Sequence, residues 1–573
     1  MDSGRTSVPL LNDDDPTLFP KLTDEQIGAL ARHGTRRPIE AGEVLFRDGD
    51  TTYDAMVLLA GRVAVVLGSG ETARELVVNR ARDLMAELNI LTGQRVGATG
   101  IVREAGSMLV VPADEFRALL GRDLGFGDFV LQTLLRRREA LERLRLGIQI
   151  VGSRFDRDTH RLREFAARNR VLHDWVDPDE MQTAAPPGGT APEASQGPVV
   201  LLGNGRFLRN PTNAELARAI GLYESRIPAG NTFDVVVIGA GPAGLAAGVY
   251  GASGGLSTAV LEAVAVGGQA ATSARIENYL GFPAGISGAD LAERARLQAA
   301  KFGAQIMVPR RATGLTERDG FHAVALDDGD ELLARSVILA LGVQYRRLPI
   351  PHLAEYEGLG VAYATDSARE QLRPGDHVVV VGGANSAGQA ALAFAQDGRE
   401  VHVVVRAERL EQSMARYLRD RIADSRIDVL LRHEVRGLAG DGHLERVTVE
   451  DIGTGDRREI DAGALVVLIG AAPRTDWLAG SFDLDEEGFV LTGPALRYDP
   501  RGRESWTRLA RAPFLLETSR PGVFAVGDVR SGSTRMVAPA VGEGGMAIRF
   551  VAEHLVRAQQ PGRGRAALSP GTA

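Results

Sequence analysis

Residues 233–262 read FDVVVIGAGPAGLAAGVYGASGGLSTAVLE. A run of apolar, β-branched residues enters a turn with glycine at 239, 241 and 244. A small-residue helical stretch follows, then a second apolar run ending on Glu262. This order fits a parallel βαβ unit built around a dinucleotide. Gly239 permits the tight turn, Gly241 lets the backbone approach a pyrophosphate, and Gly244 lets the helix pack close to the strand. The helix N-terminus offers unpaired N–H groups and a positive dipole end to the anion. Glu262 falls where an acid takes a ribose hydroxyl. Strand, glycines, helix and acid agree, so a Rossmann-like unit is expected here.

A second strand–turn–helix–strand runs over 375–410, GDHVVVVGGANSAGQAALAFAQDGREVHVVVRAERL. Its turn comprises Gly382, Gly383, Ala384, Asn385, Ser386 and Ala387. Ala384 stands where a glycine would face the pyrophosphate, and its methyl would crowd the dinucleotide. The second strand ends in Arg406 rather than an acid, which favours the 2′-phosphate of NADPH over NADH.

Three further stretches follow the first fingerprint: GGQAATSARIENYLGFP at 267–283, SVILALG at 336–342 and PGVFAVGDVRSGSTRMVAPAVGEGGMA at 521–547. With both fingerprints they resemble the low-molecular-weight thioredoxin reductase family over residues 232–556. The resemblance implies an FAD domain in two parts, 232–348 and 475–556, with an NADPH domain inserted at 349–474. By the same resemblance Gly268, Gln269, Asn278 and Gly342 lie near the flavin, and Gly527 and Asp528 meet its ribityl chain. Val537 and Ala538 would open a helix whose N-terminus faces the flavin N1/O2 edge, where reduced flavin is negative. A homodimer is also implied.

The family keeps a redox-active cysteine pair just before its second fingerprint. This chain has no cysteine among its 573 residues, and the corresponding run is Tyr363-Ala364-Thr365-Asp366-Ser367. Ala364 and Ser367 occupy the thiol positions, and a serine hydroxyl is no thiolate near neutral pH. Transfer through a dithiol of this chain is excluded. Hydride transfer from NADPH to FAD needs positioning more than acid–base groups. The acceptor is open: a quinone, dioxygen or a partner protein. Ferredoxin–NADP reductases of this lineage carry an aromatic residue in a C-terminal extension, and no aromatic follows Phe550 here. A rival reading is a redox or nucleotide sensor with little turnover.

Upstream, IEAGEVLFRDGDTTYDAMVLLAGRVAVV (39–66) and LMAELNILTGQRVGAT (84–99) resemble a cyclic-nucleotide-binding β-roll. The resemblance gives Glu87 the ribose 2′-OH and Arg95 the cyclic phosphate. Two departures are Ala86, where the cassette has glycine, and the register of Arg95. The β-roll with a helical linker is assigned to 21–147, after a leader at 1–20. Residues 148–225 resemble a glutaredoxin-like, thioredoxin-fold unit split by a Pro-rich loop, with Pro198 at the fold's cis-proline position. Its thiol positions fall near Asp156 and Thr159. The tail 557–573 is low-complexity.

The fold class expected is therefore multidomain: a β-roll, a thioredoxin-like α/β unit and two Rossmann-like α/β domains. The net charge of −8 gives no footprint for nucleic acid. No apolar run spans a bilayer and no signal peptide is evident, so a cytoplasmic protein is expected. The 10 histidines include no H-E-x-x-H spacing, so no metal is expected.

Overall fold

The computed structural model describes residues 9–50, 53–68, 73–87, 89–92, 96–144, 147–153, 156–178, 197–202, 206–222, 232–273, 275–365, 368–369, 372–410, 414–498 and 511–558. The first unit is an antiparallel roll. Its two 13-residue strands, Ala55–Leu67 and Thr99–Val111, pair along most of their length. Thr35–Ile39 and Val44–Phe46 join Thr99–Val111, while Arg74–Asn79 and Leu84–Met85 join Ala55–Leu67. Helices Ala113–Arg122 and Leu124–Arg143 close one side. Their Phe116, Leu120, Val130 and Leu134 are fully buried against Val57 and Leu109. Leu297, from a helix far downstream, enters the same core.

A four-stranded sheet follows, in the order Phe207–Arg209, Val199–Leu201, Ile148–Val151, His173–Val176. Only Ile148–Val151 and His173–Val176 run parallel. Helix Arg157–Arg168 begins on Asp156, and helix Asn213–Ala219 begins on a capping box of Thr212 and Glu215. Those carboxylates and hydroxyls satisfy N–H groups that a helix start leaves unpaired. The peptide before Pro198 is not cis; the cis peptide among the described residues is Val308–Pro309.

The largest sheet carries the parallel strands Gln305–Met307, Thr258–Leu261, Thr232–Ile238 and Glu331–Leu339. Val523–Ala525 adds in parallel to the end of Glu331–Leu339. Phe321–Leu326 and Ala312–Arg318 extend it antiparallel. Val235, Val236 and Val237 are all fully buried, as expected of a strand covered on both faces.

Between Glu331–Leu339 and Val523–Ala525 the chain builds a second parallel sheet. Its order is Val361–Ala362, Ala464–Val467, Val378–Val381, Val401–Val405, Asp428–Leu431. An antiparallel meander, His433–Ala439, Arg446–Asp451 and Arg457–Asp461, packs beside it. The chain leaves and returns through one short ladder, Val343–Tyr345 against Ala471–Pro473. Among the described residues no helix is long and apolar enough to cross a membrane.

Candidate functional site

The three glycines of the first fingerprint are needed for different reasons. Gly239 has φ +109, and a Cβ there would lie 2.2 Å from the Ala340 carbonyl oxygen. A Cβ on Gly244 would lie 1.8 Å from the Gly239 carbonyl oxygen. Both are demanded by the protein's own packing. Gly241, the N-cap of helix Pro242–Ser253, has extended backbone, and a Cβ there would meet nothing nearer than the Gly268 Cα at 4.0 Å. Nothing in the chain forbids a side chain at 241, so the glycine leaves a gap in front of the helix N-terminus. A dinucleotide pyrophosphate fits that gap.

Glu262 directly follows the next strand, Thr258–Leu261, and its carboxylate accepts from the Ala240 and Val264 N–H groups, both at 3.0 Å. Gly268, at φ +56, lies against Gly241, and Gln269 starts the short turn Ala270–Thr272. Asn278 is exposed in the following turn. Gly342 has φ +62 and open space where a Cβ would stand. Gly527 N–H donates to Glu543 Oε2 at 2.7 Å, and Arg530 pairs with the same carboxylate. Asp528 is half-buried, and burial raises its pKa while Arg535 pulls it down. Its carboxylate makes no hydrogen bond or ion pair among the described residues. A desolvated acid without a partner suits a ligand hydroxyl. The helix Val537–Ala558 starts at Val537. These residues fit FAD.

In the inserted sheet Gly382 has φ +142, and a Cβ would lie 2.4 Å from the Leu468 carbonyl oxygen. Ala384 is the N-cap of helix Asn385–Gln396, the place Gly241 takes in the first fingerprint. Its backbone, φ −100 and ψ 179, is extended, so alanine strains nothing in the chain. Any cost of that methyl falls on a ligand. Asn385 Oδ1 accepts from Ala415 N–H at 2.8 Å, Gly383 is half-buried, Ser386 is exposed and Ala387 is buried. Arg406 follows Val401–Val405, is exposed, and makes no ion pair among the described residues. A dinucleotide phosphate fits this edge.

Ala364 lies half-buried just after Val361–Ala362, and its carbonyl accepts from Ala368 N–H at 3.1 Å. Ser367 lies outside the described residues. Beside Ala364, the Tyr363 ring stacks on Tyr345 with centroids 5.9 Å apart. The Tyr363 hydroxyl donates to Glu357 Oε1 at 2.6 Å, and burial together with Glu357 pushes its pKa well up. Arg347 Nε donates to the same Glu357 oxygen at 2.8 Å. This cluster ties the segment to the ladder between the two sheets. Tyr345, Arg347 and Glu357 escape a reading of the sequence, because short strands carry no periodic signal.

In the first unit, a cavity of about 630 Å³ opens between the roll and the four-stranded unit. Tyr53, Met85, Glu87 and Arg137 line one side, and Ile148, Leu172 and Leu202 line the other. The Glu87 carboxyl opens onto this cavity. Burial raises its pKa, and Arg137, 3.8 Å away, opposes that shift. Arg137 is buried and donates to the carbonyls of Leu18, Leu84 and Ala86 at 2.8, 3.0 and 3.1 Å. Its guanidinium also sits 4.6 Å from the Phe19 ring centre. The cation expected from the sequence for a cyclic phosphate is Arg95, which lies outside the described residues. Arg137 gives no such signal, being one of several arginines on a long helix.

Asp156 and Thr159 form a helix cap. Asp156 Oδ2 accepts from the Thr159 N–H at 2.7 Å and its hydroxyl at 2.8 Å.

Residues 233–544 match the family described as pyridine nucleotide-disulphide oxidoreductase. The chain belongs to that family. Residues 36–123 match the cyclic nucleotide-binding domain. A 34.2 kDa protein in the rubredoxin operon of Clostridium pasteurianum is 30% identical over 331 residues, 56% of this chain and 97% of that protein. Thioredoxin reductase of Treponema pallidum is 32% identical, covering 56% of this chain and 97% of its own. Thioredoxin reductase of Streptomyces clavuligerus is also 32% identical, covering 54% and 90%. The crystal structure of Lactococcus lactis thioredoxin reductase overlays with a TM-score of 0.48 at 28% identity, covering 57% of this chain and 99% of that one. The C-terminal region is thus thioredoxin-reductase-like, and the thioredoxin reductase family uses FAD and NADPH. An N-terminal cyclic nucleotide-binding domain precedes it.

Proposed function

We propose that the chain is an FAD-dependent NADPH oxidoreductase that passes electrons to an acceptor other than a dithiol of its own. The observation carrying this reading is the pairing of two nucleotide cradles with a chain that holds no cysteine. FAD held at the first cradle would supply the hydride-accepting chemistry towards NADPH. The protein's part is to bind, orient and shield. Gly241 leaves room for the FAD pyrophosphate, Asp528 meets a cofactor hydroxyl, and the start of helix Val537–Ala558 supplies N–H groups. Gly382, Gly383, Asn385 and Ser386 frame the NADPH edge, and Arg406 faces the 2′-phosphate. Ala364 and Ser367 take the thiol positions and leave them inert.

Stopped-flow mixing of FAD-loaded protein with saturating NADPH tests this. Bleaching of the flavin within seconds is expected, and no bleaching would sink the enzyme reading. A steady-state screen against quinones, dioxygen, ferredoxin and disulfides then identifies the acceptor. The second reading, a sensor with little turnover, is favoured by one observation, the Ala384 methyl at the cradle. Slow bleaching without turnover on any acceptor would favour it.

We read the cavity beside Glu87 as the place where a cyclic nucleotide regulates the flavoprotein. A continuous chain of contacts supports that reading. Arg138, next to Arg137, donates to the Arg170 carbonyl of the four-stranded unit. Arg170 pairs with Asp290 on helix Gly288–Lys301, and Asn169 donates to the Val264 carbonyl at 3.1 Å. Gly288 N–H donates to the Ser273 carbonyl at 2.9 Å, beside the turn that Gln269 begins. We assign the four-stranded unit a thioredoxin-like fold acting as a bridge. Calorimetry with cAMP and cGMP tests the ligand, and absence of heat with either would remove this part.

A further inference from the structure

We propose that His377, Glu400 and His402 form a binding site for a divalent transition-metal ion, backed by Asp428. The register of the inserted sheet puts them together. Val378 pairs with Val401, so His377 stands across from Glu400. His402 is two residues beyond Glu400 and shares its face. Asp428 pairs with His402 on the next strand. His402 and Asp428 lie on strands Val401–Val405 and Asp428–Leu431, and His377 and Glu400 immediately precede Val378–Val381 and Val401–Val405, so the starts of three neighbouring parallel strands bring the four polar side chains together.

The distances match a shared ion better than a set of hydrogen bonds. One donor atom from each of His377, Glu400 and His402 lies within 4.8 Å of the others. Glu400 Oε2 is 3.6 Å from His377 Nε2, and Glu400 Oε1 is 3.7 Å from His402 Nε2. Both separations exceed a hydrogen bond. Donors sharing one ion at about 2.0–2.1 Å in tetrahedral geometry stand about 3.3 Å apart, so closure needs only small side-chain movements.

The second carboxylate strengthens the case. His402 Nδ1 lies 3.1 Å from Asp428 Oδ2. With Nδ1 turned to Asp428, Nε2 is the ring atom on the Glu400 side, where an ion would sit. A carboxylate behind a ligating histidine is the usual way its tautomer and ring orientation are fixed.

Two imidazoles and one carboxylate, in a chain without thiols, suit Zn²⁺, Ni²⁺ or Co²⁺ and discriminate against Mg²⁺ and Ca²⁺. Glu400 is exposed, while His377 and His402 are half-buried, so the site is reachable from solvent. The nucleotide cradle at Gly382–Ala384 and Arg406 lies at the other end of the same strands, on the order of 15 Å away at 3.3 Å per residue. The ion therefore joins the starts of two strands, Val378–Val381 and Val401–Val405, and takes no part in hydride transfer.

FAD-loaded full-length protein, stripped with chelator, is titrated with Zn²⁺ by calorimetry and with Co²⁺ by absorption; Mg²⁺ serves as the comparison. One Zn²⁺ per chain, a Zn²⁺-dependent rise in Tm and a Co²⁺ spectrum of nitrogen and oxygen ligands only are expected. His377→Ala and His402→Ala should each abolish that one equivalent while retaining FAD. Asp428→Asn should weaken binding by about 10–100-fold. The site is overturned if Zn²⁺ fails to saturate one site below about 100 μM, a Kd worth only about 5.5 kcal/mol. It is equally overturned if the stoichiometry survives in the His377→Ala/His402→Ala double variant, or if Mg²⁺ binds as well as Zn²⁺.

Discussion

His322 carries a charge problem that sequence reading could not see. It lies on strand Phe321–Leu326, and its Nδ1 is buried without a hydrogen-bond partner. Burial lowers its pKa to about 4, and His554 and Arg520 push the same way. Above pH 6.5 the ring is neutral folded and unfolded. Between 6.5 and about 4 the unfolded chain takes a proton that the folded chain refuses, so stability falls as pH falls. The full loss is roughly 3 kcal/mol for a shift of this size. His322→Leu should flatten that acid slope in thermal melts followed by flavin release at pH 7.5, 6, 5 and 4.5. An unchanged slope would mean that other groups dominate. At Ala384 the expectation concerns the ligand. Ala384→Gly should lower the NADPH Kd several-fold without moving Tm much, because the extended backbone at 384 needs no glycine. Equal affinity in both proteins would remove the steric argument. The first-fingerprint residues were legible because their meaning is local: three glycines and an acid at set spacings. Arg137, Glu357 and Tyr345 were not, because each acts on chain brought near by folding.

The helix Leu124–Arg143 shows the same division within one element. Its apolar spacing made it legible as a helix. That one of its arginines turns inward could not be read, because an arginine on a helix is ordinarily solvated. Arg137 instead closes the roll by satisfying three carbonyls and stacking over Phe19. Arg137→Met would keep the apolar stem and strand those carbonyls, and should cost on the order of 2–4 kcal/mol. Hydrogen exchange in strands Ala55–Leu67 and Leu84–Met85 should accelerate accordingly, with protection in Val378–Val381 unchanged. Uniform acceleration across both regions would show that Arg137 supports more than the roll. The parallel strands were plain in the sequence because burial on both faces writes runs such as Val378–Val381. The crossing ladder Val343–Tyr345 and Ala471–Pro473 was not, since three residues cannot show a period.

Across the whole molecule, the four-stranded unit touches every other part. Leu172 and Leu202 wall the roll's cavity, and Arg170 and Asn169 hold the FAD-domain side. A Cβ on Gly358 of the inserted part would lie 2.7 Å from the His160 ring. Leu297 also places helix Gly288–Lys301 in the roll's core. A ligand that shifts the cavity wall must then either move this unit or strain its contacts, since packed interiors transmit displacement rather than absorb it. Coupling of this kind is reciprocal: if a cyclic nucleotide changes affinity for NADPH, NADPH changes affinity for the nucleotide by the same factor. Arg170→Ala combined with Asn169→Ala removes the polar contacts between the bridge and the FAD domain and touches neither ligand. In this variant, calorimetry should give the unmodified cyclic-nucleotide affinity, and basal NADPH oxidation should persist. The mutual dependence of the two ligands, about 5–150-fold where such coupling operates, should collapse towards unity. Retained coupling would instead assign the connection to the Leu297 packing, where Leu297→Ala should break it, with a cavity cost of about 2–5 kcal/mol in the roll.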